Sequence, residues 1–390
     1  MDFDKYIERH GTDSMKYDSA SMMNMPEGLI PLWVADMDFQ VPESVTEALK
    51  ERADHGIYGY SFPGDRYYDA VTGWFRDNFN FDIDRKWIVT TPGVVFALTQ
   101  AVKAFTEPGD AVIVMKPVYY PFMSSIEGNG RRVVNSPLVN EDGYYRIDFE
   151  DFEKKIVDND IKMFILCSPH NPVGRVWTGE ELKKLAHICA DHGVLVVSDE
   201  IHCDFVWPGS RHTAFANAAD GIEGLRYIVC TAPSKSFNLA GLQCSNIIIP
   251  NEEDRKRFRA VMGSNGIFDA NIMGLTACRA AYEGGKEWLD ELRSYIWGNI
   301  EFADKYIKEN IPRVKMRKPE GTYLLWLDCS GLGLSREQLD RFMIDEAELW
   351  LDGGSLFGEE GNSFQRINAA CRRETLEKAL EQLKAAVDAL

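Results

Sequence analysis

A single lysine, Lys235, stands in Thr231-Ala-Pro-Ser-Lys-Ser-Phe-Asn-Leu-Ala-Gly-Leu-Gln-Cys-Ser245 among small and hydroxyl residues, with no carboxylate in the stretch. An amine so placed is able to lose its proton and act as a nucleophile, whereas one beside acids stays an ammonium. Three other stretches carry complementary groups. Asp199-Glu200-Ile201-His202 follows the apolar run Val194-Leu-Val-Val-Ser198, and an acid at a buried strand end is costly unless a cation meets it. Asn171 lies between two prolines in Ser168-Pro-His-Asn-Pro-Val-Gly174, which aims its amide rigidly. Pro92-Gly93 precedes the apolar segment Val94-Val-Phe-Ala-Leu-Thr-Gln-Ala-Val-Lys-Ala-Phe105, so Gly93 and Val94 would open a helix whose free N–H groups and dipole attract an anion. Taken singly, each has a plainer reading: a solvated loop lysine, a capping or ion-paired acid, an Asn-Pro turn and a turn glycine.

Together, an amine, an acid, an oriented amide and a phosphate cradle match an aldehyde that bears a ring nitrogen, a ring hydroxyl and a phosphate. Lys235 would condense with the aldehyde, Asp199 would keep the ring nitrogen protonated, and Asn171 would bond the hydroxyl. The expected cofactor is pyridoxal 5′-phosphate. Other cofactors lack their signatures: there is no G-x-G-x-x-G after the first strand, no P-loop, no H-E-x-x-H and no EF-hand loop. The stretch Asp352-Gly-Gly-Ser-Leu-Phe-Gly358 fits neither nucleotide fingerprint, and the 7 histidines form no ligand-spaced group, so no metal is expected.

The elements that must position these groups are regular. Strands are predicted at Trp87–Thr91, Ala111–Met115, Arg132–Val134, Met163–Cys167, Val194–Ser198, Tyr227–Cys230 and Asn246–Ile249, separated by helix-like segments such as Gly179–Ala190. Strands apolar on both faces and alternating with helices imply an α/β fold with a mostly parallel seven-stranded sheet covered on both sides. Such folds keep their chemistry at the carboxyl ends of the strands, and Lys235 is expected on a loop closing one of them. A helix with an acidic first turn begins at Glu43, and the first thirty residues read as an irregular arm. Beyond residue 285 come long amphipathic helices, a strand-like Gly321–Asp328 and a final helix at Glu374–Val387. The expected division is a large cofactor-binding domain at 48–285 and a smaller α+β domain made of 1–47 with 286–390.

Among 390 residues, 45% hydrophobic and 12% aromatic content is ample for a packed core, and a formal net charge of −18 disfavours nucleic acid and anionic membrane as partners. The 8 cysteines are scattered singly with no CxxC pair and read as reduced core residues. With no apolar leader-like segment at the start and no run of eighteen apolar residues, a soluble cytoplasmic protein is expected.

Ser168-Pro-His-Asn-Pro-Val-Gly174, Asp199-Glu-Ile-His202, Ser234-Lys235 followed by Gly-Leu-Gln243, and then Arg366 occur in an order and spacing that resembles the fold-type I pyridoxal-phosphate enzymes, the aspartate aminotransferase superfamily. The resemblance spans nearly the whole chain. Within that superfamily it points to the cystathionine β-lyase or C–S lyase branch (the MalY/PatB group), through Leu32-Trp-Val-Ala-Asp-Met-Asp-Phe39, Gly93-Val-Val-Phe-Ala-Leu98, Pro117-Val-Tyr-Tyr-Pro-Phe122 and Phe364-Gln-Arg-Ile-Asn-Ala-Ala-Cys371.

The resemblance implies that Tyr119 stacks on the cofactor ring and joins Lys235 and Asp199 in catalysis, that His202 sits near the ring hydroxyl, and that Val95 and Ser234 join Gly93 and Val94 at the phosphate. It implies that Arg366 grips the substrate carboxylate with its forked guanidinium, with Ala35, Asn171 and Tyr119 completing the substrate site. It also implies a homodimer with shared active sites, Tyr60 reaching the phosphate of the neighbouring subunit. Two positions depart from the aminotransferase pattern: Gln243 stands where a phosphate-binding arginine is usual, and Ala232 where serine is usual. Gln243 is itself usual in the C–S lyase branch. The expected activity is therefore β-elimination from cystathionine or related cysteine S-conjugates. An aminotransferase is the alternative, and a cofactor-binding regulatory protein a third reading.

Overall fold

The computed structural model describes residues 1–390. Seven strands, β1 (Ile88–Thr91), β2 (Ala111–Val114), β3 (Arg132–Asn135), β4 (Ile161–Cys167), β5 (Leu195–Asp199), β6 (Tyr227–Thr231) and β7 (Ser245–Ile248), form one sheet in the order β1-β7-β6-β5-β4-β2-β3. Neighbours are parallel except at β7, which runs antiparallel to both β1 and β6. That single reversal leaves β1, β4, β5 and β6 pointing the same way, so their carboxyl ends share one edge. The α/β architecture read from the alternating apolar runs is the one observed. Three strands run one residue further than predicted, to Asn135, Asp199 and Thr231, and the ladder sets Cys167, Asp199 and Cys230 side by side. Asp199 is thus a strand residue whose backbone is fixed on both sides.

Apolar layers cover both faces. Val94, Leu98 and Val102 of the helix Val94–Phe105 pack with Val112, Ile165, Val197 and Ile228 on one face. On the other face the core continues from Phe164 and Val196, through the long helix Lys286–Asn310, to Leu325 and Ile367. That helix buries Leu289, Leu292, Ile296, Ile300, Ala303 and Ile307, a three-to-four-residue spacing that lays one apolar stripe along it. Strands β8 (Lys315–Met316), β9 (Leu324–Asp328), β10 (Asp352–Gly353) and β11 (Phe364–Asn368) make a second, antiparallel sheet in the order β8-β9-β11-β10. We propose residues 48–285 as the larger unit and 1–47 with 286–390 as the smaller.

The N-terminal arm is irregular apart from one helical turn at Met15–Asp18 and the pair Ile30–Pro31, which lies parallel to Leu349–Trp350. All eight cysteines are buried and unpaired, and no helix is long and apolar enough to cross a membrane. Lys235, expected on a loop, lies instead on a one-turn helix, Pro233–Ser236, directly after β6. Pro233 starts that turn because its fixed φ suits the first helical position, where no N–H is needed.

Candidate active site

The shared strand edge opens into a cavity of ≈ 360 Å³. Gly93, Val94 and Val95 reach it from beyond β1, Asn171 from beyond β4, Asp199 and His202 from β5 and its continuation, and Ser234 and Lys235 from beyond β6, with Ala35 and Tyr119 on its walls. Every site residue named from the sequence lines this cavity except Arg366 and Tyr60.

Lys235 is half-buried, and its Nζ donates to the carbonyl oxygen of Ala35 at 2.7 Å. Burial lowers its ammonium to about 8, helped by the Arg366 charge and opposed by Asp36 and Asp199. The amine therefore holds its proton loosely near neutral pH. Asp199 is 4% exposed, and its Oδ1 accepts one bond, from the Ile201 N–H at 3.2 Å. Burial raises its carboxyl to about 7, although the Ile201 bond and the Lys235 charge both pull the other way. It has no ion pair within the chain, so the acid sits buried with no partner cation.

His202 is 3% exposed, with Nδ1 lacking any partner and its ring edge-on to Tyr323 at 5.6 Å. Burial, reinforced by Lys235 and Arg366, keeps the ring neutral. At the other end of the cavity the helix Val94–Phe105 begins with no side-chain cap and no acid in its first turn. A Cβ built at Gly93 would meet no atom within 4 Å, so there is open space beside those free amides. Tyr119 is half-buried and packs edge-on to Phe122, its phenol raised by burial and by Tyr120.

Arg366, on β11, is 2% exposed and lies outside the cavity wall but bonded to it. Its Nη1 donates to Asn171 Oδ1 at 3.1 Å and its Nη2 to the Trp33 carbonyl at 2.8 Å and to the Asp352 carboxylate. The guanidinium carbon lies 4.9 Å from the Phe357 ring centre, and Nε is buried without a partner. Because Asn171 spends its oxygen on Arg366, its Nδ2 is left to donate into the cavity. Tyr60 is not brought to this cavity. It is fully exposed, and its apolar neighbours Ile57, Tyr58 and Phe62 are exposed as well.

Residues 27–383 match the family described as aminotransferase class I and II. The chain belongs to that family. It is 47% identical over 387 residues to cystathionine beta-lyase PatB of Bacillus subtilis (strain 168), covering 99% of this chain and 100% of that one. It is 35% identical to protein MalY of Escherichia coli (strain K12), covering 100% of both. Among solved structures, cystalysin from Treponema denticola, which contains a pyridoxal 5′-phosphate cofactor, superposes with a TM-score of 0.95 at 38% identity, covering 100% of this chain and 99% of that one.

Two members of this aminotransferase-family site were not singled out from the sequence. Asp352 faces Arg366 across the β10–β11 ladder, and nothing short of that register brings the two together. The stretch Asp352–Gly358 matches no nucleotide fingerprint and by itself carries no sign of an arginine partner. Tyr323 donates its hydroxyl to the Ala35 carbonyl at 2.9 Å, sharing that acceptor with Lys235. Tyr323 lies within the strand-like Gly321–Asp328, a mostly apolar run that carries no sign of a partner 288 positions away.

The Asp199 carboxyl makes a stability prediction. In the unfolded chain it titrates near pH 4, in the folded chain near 7. The folded state thus holds the extra proton between those values. The stability this contributes is fully present below about pH 4 and is lost as pH rises to about 7, a change of roughly 4 kcal/mol. Asp199→Asn in protein free of cofactor should therefore raise the Tm at pH 8 by several degrees and leave it nearly unchanged at pH 4. Equal Tm differences at the two pH values would contradict the assignment of the burden to ionisation.

Proposed function

We propose that this chain is a pyridoxal 5′-phosphate-dependent C–S β-lyase that cleaves cystathionine or related cysteine S-conjugates into a thiol, pyruvate and ammonia. The observation that carries this reading is the full-length 47% identity with cystathionine beta-lyase PatB, joined to a cavity whose groups suit that cofactor. The fit rests on unmet needs: a buried acid without a cation, an uncapped helix start beside open space, a buried imidazole nitrogen without a partner, and an amine with a lowered pKa. In this reading Asp199 faces the ring nitrogen, Asn171 Nδ2 and His202 the ring hydroxyl, and Tyr119 the ring face. The amides of Gly93, Val94 and Val95 and the hydroxyl of Ser234 receive the phosphate.

When bound, the cofactor supplies an electron sink for the charge that develops at the substrate α-carbon. Arg366 and Asn171 hold the α-carboxylate and so fix which bond at that carbon faces Lys235. Lys235 takes the α-proton, a task suited to an amine titrating near 8. Asp199 keeps a negative charge opposite the ring nitrogen, and the apolar walls limit water. Gln243 lines the cavity where a phosphate-binding arginine would mark ordinary amino transfer, which favours elimination.

We further propose a homodimer in which Tyr60 of the partner subunit completes the phosphate end. The exposed row Ile57, Tyr58, Tyr60 and Phe62 supports it, since apolar side chains in series on a surface mark an interface.

The deciding assay incubates the holoenzyme with cystathionine and no keto acid. Release of pyruvate and thiol in equal amounts is expected. Turnover that depends on added 2-oxoglutarate and yields no pyruvate would instead establish the aminotransferase.

A further inference from the structure

Residues 33–39 form a strap whose carbonyl groups are nearly all engaged. Trp33 O accepts from Arg366 Nη2 (2.8 Å), Val34 O and Asp36 O from Asn368 Nδ2 (2.7 and 2.6 Å), and Ala35 O from Lys235 Nζ (2.7 Å). Met37 O and Phe39 O accept from Asn238 Nδ2 (2.9 and 3.1 Å). Two of these donors, Lys235 and Arg366, are the groups assigned to the proton and to the carboxylate. The strap is therefore the one segment bonded to both.

The strap's own carboxylates are held from the N-terminal arm. Arg9 donates to Asp36 Oδ2 at 2.6 Å and to Asp38 Oδ1 at 2.7 Å. Lys16 donates to both Asp38 oxygens at 3.1 and 3.0 Å and lies 3.7 Å from Asp36. Tyr17 adds a hydroxyl bond to Asp38 at 3.0 Å. The Lys16 side chain is fully buried, and a buried ammonium persists only where partners repay its lost hydration. Two cations thus face two carboxylates outside the cavity, and one of these, Asp36, is the next residue after Ala35.

We infer that Arg9 and Lys16 are positioning residues of the active site: by clamping Asp36 and Asp38 they fix the strap, and with it the placement of the Lys235 amine relative to the Arg366 guanidinium. The inference rests on the roles proposed above for Lys235 and Arg366. It also has an electrostatic side. The charged or titratable groups facing Lys235 are Arg366, Asp36, Asp199 and the neutral His202. Asp36 favours the protonated amine, and Arg9 and Lys16 mute that influence by pairing with it.

The test compares Arg9→Gln, Asp36→Asn and the conservative Arg9→Lys as holoenzymes, reading cystathionine cleavage against pH together with Tm and the visible absorbance of the bound cofactor. With Arg9 neutralised, the unmasked Asp36 should move the acid limb of kcat to higher pH by about 0.5 to 1. With Asp36 neutralised, the limb should move to lower pH by a similar amount. Arg9→Lys should restore most of the wild-type profile, and KM should rise in both neutral variants as the Trp33–Arg366 bond loosens.

Opposite shifts in folded, cofactor-bearing variants are a signature that mere loss of packing does not produce. Profiles that stay put, or that move in the same direction, would overturn the inference. So would loss of fold in Arg9→Gln, which would make the cluster a stability element alone. Wild-type enzyme that transaminates without eliminating would count against the proposed reaction only, because the same profiles are read from amino transfer.

Discussion

Lys235→Ala should lose cystathionine cleavage by roughly 10²- to 10⁴-fold while still binding the cofactor, an outcome to be read from pyruvate release and from the visible spectrum of the purified variant. The size follows from the role: a positioned general base is worth roughly 10² to 10⁴ in rate, and no second amine is available to replace it. Retention of the cofactor follows from the geometry, because Asp199, Asn171, His202 and the first turn of the helix Val94–Phe105 do not depend on the lysine side chain. Added small primary amines should restore part of the activity by supplying the missing base. A variant with near-normal turnover would remove Lys235 from the mechanism.

Arg366→Met should produce two separable losses. KM for cystathionine should rise about 100-fold, since the carboxylate loses a charge-assisted, two-pronged partner worth a few kcal/mol. The protein should also lose roughly 3–5 kcal/mol of stability, because Asp352, 4% exposed and paired with Arg366, is left buried without its cation. The pairing Arg366→Met with Asp352→Asn separates them. Stability measured by denaturant should largely return, and KM should not. If the double variant recovered both, the arginine would be structural and the carboxylate would bind elsewhere. Arg366→Lys should fall between, as an ammonium keeps the charge but not the fork.

Much of this site was legible because its residues sit where regular elements end. The apolar runs located β4, β5 and β6 to within two residues; Asp199 is the last residue of β5, and Asn171 and Lys235 lie four residues beyond the ends of β4 and β6. Hydrophobic periodicity reads burial, and burial of a whole parallel sheet leaves its strand ends as the place for polar groups. The partners that depend on strand register were not legible. Asp352 and Arg366 are fourteen positions apart and meet only because β10 and β11 align them. The strap's anchors Asn238 and Asn368 lie 201 and 334 positions from the carbonyls they hold, distances at which local pattern carries no signal. The extra turn at Lys235 was missed for another reason: four residues are too few to show a helical period, and Pro233 reads equally well as a loop residue.

The reach of the bond between Arg366 and Trp33, 333 residues along the chain, sets the order in which the molecule can become an enzyme during its synthesis. A growing chain that has passed β7 already owns the strand ends carrying Asp199, Asn171 and Lys235, together with the helix start at Val94. It still lacks β11, and with it the arginine that joins the strap to the cavity. Until that strand has emerged and folded back onto the first forty residues, the bond that ties Arg366 to the strap cannot form, so the link between the strap and the strand carrying Arg366 is among the last contacts the chain can make.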